Sequence, residues 1–80
     1  MRRLADSERV VGSNSVLRAL AAGKLSLVYI AADADPFVTR RIAVEAEKSR
    51  VELVEVESMK ALGSACGLDV AAAAAGVLRK

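Results

Sequence analysis

The chain has no histidine or tryptophan, a single cysteine (Cys66) and a single proline (Pro36). Without histidine, and with one thiol, it cannot assemble a usual zinc site. Cys66 has no disulfide partner within the chain and no imidazole to activate it. A small buried thiol at a helix end is the expected role. The cysteine usage suits a reducing compartment, and a cytoplasmic protein is expected. Tyr29 and Phe37 are the only aromatic residues, too few for a platform that stacks single-stranded nucleic acid. No apolar run approaches the roughly 20 residues of a membrane span. The N-terminal Met1-Arg2-Arg3-Leu4-Ala5-Asp6 is positive but is not followed by the apolar core of a secretory signal. Neither charge sign dominates: 12 basic and 10 acidic residues leave +2, too small an excess to argue for nucleic acid by itself.

What is present is apolar and small. Hydrophobic residues make up 54% of the 80, enough to exclude disorder, and the length allows one domain over 1–80. The basic residues are uneven: Arg2, Arg3, Arg9 and Arg18 lie in the first quarter, and Glu52, Glu55 and Glu57 cluster later.

The sequence is organised around Gly12-Ser13-Asn14-Ser15-Val16-Leu17-Arg18. It reads as a sharp turn into a helix, with Gly12 giving the backbone freedom to turn and Ser13 or Asn14 as the cap. At 100° per residue, Val16, Leu17 and Leu20 share one side, and Asn14, Ser15 and Arg18 share another. The helix therefore offers an amide, a hydroxyl and a guanidinium at the end where its dipole is positive. RNA is one anion that such a face suits; a capped helix with a merely solvated polar face is the plainer reading.

In chain order, Arg9 to Val11 reads as a brief strand. A helix spans about 13–22, stopped by Gly23. Leu25 to Ala32 suits a central strand buried on both faces. Asp35 caps a second helix of about 36–49 with Pro36 at its first position; Val38, Ile42 and Ala46 form its inner stripe, and Arg41 can pair with Glu45. Val51 to Val56 is a less buried strand. Ser58 caps a third helix, about 59–65, ended by Gly67, and the loop Leu68-Asp69-Val70 exposes two apolar residues. For Ala71 to Leu78, alanine propensity favours helix, whereas the alternation of elements favours strand; we read strand. The expected fold is a three-layer α/β/α sandwich with a four-stranded mixed sheet.

Chemistry is sparse. Asp33 and Asp35 form the one close carboxylate pair after a central strand, where acid–base or metal chemistry sits in some α/β folds, but no second cluster completes a site and capping accounts for Asp35. Gly63-Ser64-Ala65-Cys66-Gly67 lacks the lysine of a phosphate-binding loop. No catalytic residue, metal site or cofactor is expected.

Four signposts in order carry a resemblance: Gly12-Ser13-Asn14; Ala31-Ala32-Asp33-Ala34-Asp35-Pro36; Ser58-Met59-Lys60-Ala61-Leu62-Gly63; and Cys66-Gly67-Leu68-Asp69-Val70 followed by alanines. Over nearly its whole length the chain resembles the kink-turn-binding ribosomal protein family, most closely its small bacterial YbxF-type paralogues. The resemblance implies an α/β/α sandwich ending in a strand. It also implies a non-enzymatic protein that binds kink-turns, RNA duplexes sharply bent at a bulge beside tandem sheared G·A pairs. The family's contact motif falls on Gly12, Ser13, Asn14, Ser15 and Arg18. Asn14 matches the asparagine that holds the G·A region. Arg18 stands where lysine is common and adds a bidentate fork. Ser15 replaces a longer glutamate or glutamine. Leu68, Asp69 and Val70 match the loop that covers bases flipped from the bulge. The implied partner is structured RNA with a kink-turn, in ribosomal or regulatory RNA, and the ribosome is one place to find it; the protein is expected to be a monomer. A protein–protein adaptor on the same fold is the alternative function, and an Asp33/Asp35 hydrolase a distant third.

Overall fold

The computed structural model describes residues 9–67 and 69–79. Within them the order is β1 (Arg9–Val11), α1 (Ser13–Ala21), β2 (Leu25–Ala31), α2 (Pro36–Lys48), β3 (Glu52–Val56), α3 (Met59–Ala65) and β4 (Ala74–Leu78). The α/β class and the four-stranded mixed sheet are as expected. The strand order is β1-β4-β2-β3. β2 and β3 run parallel, and β4 is antiparallel to both β1 and β2. β1, β2 and β3 therefore all point the same way, and β4 fills the gap between the first two.

Two apolar clusters cover the two faces of the sheet. On one, Val16, Ala19 and Leu20 of α1 and Ile42 and Ala46 of α2 meet Leu25, Val28 and Ile30 of β2 and Ala74 of β4. On the other, Leu62 and Cys66 meet Ala31 and Ala75, with Tyr29, Val56 and Val77 packed around them. The alternation along β2 and β4 supplies both faces, as the two-residue period of a strand requires.

β4 explains the alanine run. It is an interior strand with helices on both sides, and Ala74 and Ala75 are fully buried, one toward each face. Gly76 goes further: a Cβ there would lie 2.6 Å from Leu25 Cδ1. Leu25 reaches this face because the β2–β4 register shifts between Leu25 and Leu27, a bulge that reverses the side-chain alternation. The strand begins at Ala74 and not at Ala71. Ahead of it the chain is held by single bonds, Ala72 N–H to Met59 O at 3.0 Å and Ala31 N–H to Ala73 O at 3.0 Å.

Helix ends follow the sequence signals with one exception. Gly23, at φ 70°, closes α1: the Lys24 N–H donates to Ala19 O and the Gly23 N–H to Leu20 O, the paired bonds of a left-handed cap. Arg50, at φ 56°, closes α2 in the same way through Val51 N–H to Ala46 O. At its start, α1 is not capped by Ser13 or Asn14. Gly12 occupies the cap position and no side chain bonds the first turn. The turn is one residue tighter than expected because Gly12 takes φ 101°, ψ 143°, a conformation that side chains resist, so Ser13 is already helical. A second correction concerns α2: among the described residues Glu45 pairs with Lys48 at 3.6 Å and forms no ion pair with Arg41.

Candidate nucleic-acid interface

The three parallel strands each end at the same edge of the sheet and each is followed by a helix. The starts of α1, α2 and α3 therefore share one end of the molecule with the incoming end of β4. Side chains cap two of these starts. In α2, Pro36 has no N–H, the Phe37 N–H donates to Asp35 Oδ1 at 2.9 Å, and Val38 N–H to Asp35 O at 3.0 Å. In α3, the Met59 N–H donates to Asp33 Oδ1 at 2.7 Å and the Ala61 N–H to Ser58 Oγ at 3.0 Å. Both carboxylates of the Asp33/Asp35 pair are thus spent on helix starts.

The start of α1 is open. Val16 N–H donates to Gly12 O at 3.0 Å, but among the described residues nothing accepts from the backbone N–H of Ser13, Asn14 or Ser15. Asn14, Ser15 and Arg18 are exposed while Val16, Ala19 and Leu20 are buried, the division of faces read from the periodicity. Three amides without an acceptor among the described residues thus share this helix end with an exposed carboxamide, hydroxyl and guanidinium, and the partial positive charge of the helix end lies behind them.

The second predicted segment leads into β4, whose start is bonded to the first. Gly12 N–H donates to Ala74 O at 2.9 Å and Val11 pairs with Ala75, so the chain arriving from Asp69 and Val70 reaches the sheet beside the turn into α1. Asp69 is exposed, and Val70 keeps 69% of its surface in water. Leu68, also placed in this loop by the sequence, lies outside the described residues, as do Arg2 and Arg3.

Two residues hold this arrangement and were not singled out from the sequence. Gly63, in the middle of α3, is buried against the loop: a Cβ there would overlap the Val70 carbonyl and press on Ala71 Cα. A glycine inside a short helix, where alanine is favoured, was the available signal. Arg9 donates from Nη2 to Cys66 O at 2.6 Å and ties β1 to the end of α3. That side chain therefore serves the fold. Cys66 is buried at the end of α3. Burial raises its thiol pKa above the ordinary 9.0, with the Arg9 charge opposing, so the thiol is protonated at neutral pH and unsuited to nucleophilic work.

Comparison with known proteins extends these observations. The ribosomal protein L7Ae/L30e/S12e/Gadd45 family matches residues 2–80. An RNA-binding protein of a Geobacillus strain is 41% identical over 70 residues, 88% of this chain and 85% of that protein. The RNA-binding protein YbxF of Geobacillus stearothermophilus is 39% identical over the same shares. Among solved structures, a 15.5 kD RNA-binding protein of Giardia lamblia superposes with a TM-score of 0.84 at 34% identity, covering 90% of this chain and 61% of that one.

Proposed function

Since the chain belongs to the ribosomal protein L7Ae/L30e/S12e/Gadd45 family, we propose that it is a non-enzymatic RNA-binding protein that recognises kink-turns with the start of α1 and the adjoining loop. The observation that carries this reading is the helix start: three amides with no acceptor among the described residues, beside exposed Asn14, Ser15 and Arg18, with Gly12 bonded to Ala74 where the chain from Asp69 and Val70 enters β4.

The chemistry of RNA explains the preference. A regular A-form duplex hides its major groove, so a helix end cannot reach base edges there. A kink beside sheared G·A pairs widens the groove and turns guanine O6 and N7 toward the protein. Those atoms are acceptors, and the surface at α1 is rich in donors. The Asn14 carboxamide matches an adenine or guanine edge. The Arg18 fork matches either guanine or phosphate. On the other side, Val70 offers an exposed apolar side chain to a base expelled from the bulge, and Asp69 offers an acceptor to base N–H groups. Serine at position 15 reaches less far than the glutamate the resemblance leads one to expect, which leaves the G·A contacts to the backbone amides and Asn14.

A gel shift tests this reading, with a kink-turn duplex beside the same duplex carrying Watson–Crick pairs in place of its G·A pairs. Much weaker binding to the control is expected. Equal affinity for the two would overturn shape recognition. Binding should also weaken with salt, by roughly 0.7–0.9 log units per tenfold salt for each phosphate contact.

A further inference from the structure

Three large apolar side chains remain exposed among the described residues: Val70 in the loop above, and Phe37 at 84% and Val44 at 46% on α2. The last two are not explained by the proposed RNA surface. They lie seven residues apart, two turns and about 10 Å along the helix, on the side opposite the inner stripe of Ile42 and Ala46. Arg40 and Arg41 are exposed between them, and Pro36, Phe37, Arg40, Arg41, Val44 and Glu45 line one shallow groove. Glu45 is engaged by Lys48. No carboxylate of the described residues lies within ion-pair distance of Arg40 or Arg41. The stripe is thus apolar at both ends and positive in the middle.

We propose that this outward face of α2 docks an acidic amphipathic helix of a partner protein, whose apolar residues cover Phe37 and Val44 and whose carboxylates meet Arg40 and Arg41. Charge decides among the occupants. A second copy of the chain, packed antiparallel so that Phe37 covers Val44, would gather four guanidinium groups at the centre of the contact. An RNA strand would satisfy the arginines and stack one base on Phe37, but would set Val44 against the sugar–phosphate backbone. A helix with apolar residues one heptad apart and glutamates between them matches all four positions, in the manner of helix-on-groove recognition, and carboxylate–arginine pairs fix its register. The stripe begins at Phe37, at the end of the molecule that also carries the start of α1, and runs away from it along α2 to Val44.

The test uses the full chain, labelled with 15N. The probe is a synthetic helical peptide with two leucines one heptad apart and glutamates between them; the control carries lysines in place of the glutamates. Saturable binding of the glutamate peptide is expected, with amide shifts confined to residues 37–45. Phe37→Ser should weaken it about tenfold, as loss of a main anchor does. The double variant Arg40→Glu/Arg41→Glu should lose it and bind the lysine peptide instead. All three side chains are exposed, so circular dichroism should show unchanged folding. Absence of saturable shifts, or equal binding by wild type and both variants, overturns the proposal. So does concentration-dependent self-association that Phe37→Ser abolishes, which assigns the stripe to a second copy. Loss of kink-turn affinity in both variants without peptide binding gives the stripe to RNA and also overturns it.

Discussion

The starts of α1 and α2 lie at the same end of the same sheet and differ in what they leave free. At α2, Asp35 and Pro36 together consume or remove every early N–H: the proline has none, and Asp35 takes those of Phe37 and Val38 with its side chain and carbonyl. At α1, a glycine holds the cap position, and three amides have no acceptor among the described residues. A side-chain cap stabilises a helix by satisfying its donors itself; a glycine cap gives the turn without closing it. The comparison teaches that a helix start can be built for stability or for reception, and that the choice is visible in one residue.

If the comparison holds, substitutions at the two kinds of start have opposite readouts. The largest effect is expected at the open start: Arg18→Ala and Asn14→Ala should each cost about 1–3 kcal/mol of kink-turn binding, through lost base and phosphate contacts. Neither should lower thermal stability appreciably, because both side chains are exposed and Asn14 is not the cap. Isothermal titration and melting curves on the same samples separate the two quantities. Unchanged RNA affinity in both variants would place the contact elsewhere.

Gly12→Ala sharpens the same point. Space is not the obstacle, since a Cβ there meets nothing within 4 Å. The φ of 101° is the obstacle, and a backbone held in so sparse a region costs about 1–3 kcal/mol. Chemical denaturation should show that loss, and RNA binding should weaken as the turn into α1 shifts. A variant as stable as wild type would mean that the tight turn is not required.

At a closed start, Ser58→Ala should remove about 0.5–2 kcal/mol of stability with its cap bond and leave RNA affinity unchanged. Loss of affinity there would blur the distinction between the two kinds of start. The smallest effect is at Cys66. Its thiol pKa is raised in the folded chain, chiefly by burial. Stability is therefore fully present below the ordinary thiol pKa of 9.0 and falls as pH rises through the raised value. A disulfide reagent at neutral pH should modify Cys66 only as fast as the protein opens; rapid labelling of the native protein would contradict its burial.

Much of this was legible in the residues. Glycines marked the ends of α1 and α3, Asp35-Pro36 and Ser58 marked the starts of α2 and α3, and periodicity separated Asn14, Ser15 and Arg18 from the buried side of α1. Position 12 was readable as a turn but not as the cap, because serine and asparagine outrank glycine as caps and only the backbone angles reveal that Ser13 is already helical. The alanines of β4 were ambiguous locally: propensity favours helix, and strand wins because an interior strand between two helical layers has room only for small side chains. The seat that Gly63 makes for the Val70 carbonyl was illegible, since it joins residues on different elements. The contact between the α1 start and the beginning of β4 likewise depends on β4 pairing with β1.

The central claim is that RNA meets the open amides of α1. The direct measurement follows backbone amide resonances of the full chain during titration with a kink-turn duplex. The account predicts the largest shifts at Ser13, Asn14 and Ser15, as donors now exposed to water acquire acceptors, together with changes at Asp69 and Val70. Saturated RNA binding with the Ser13–Ser15 amides unmoved would contradict it.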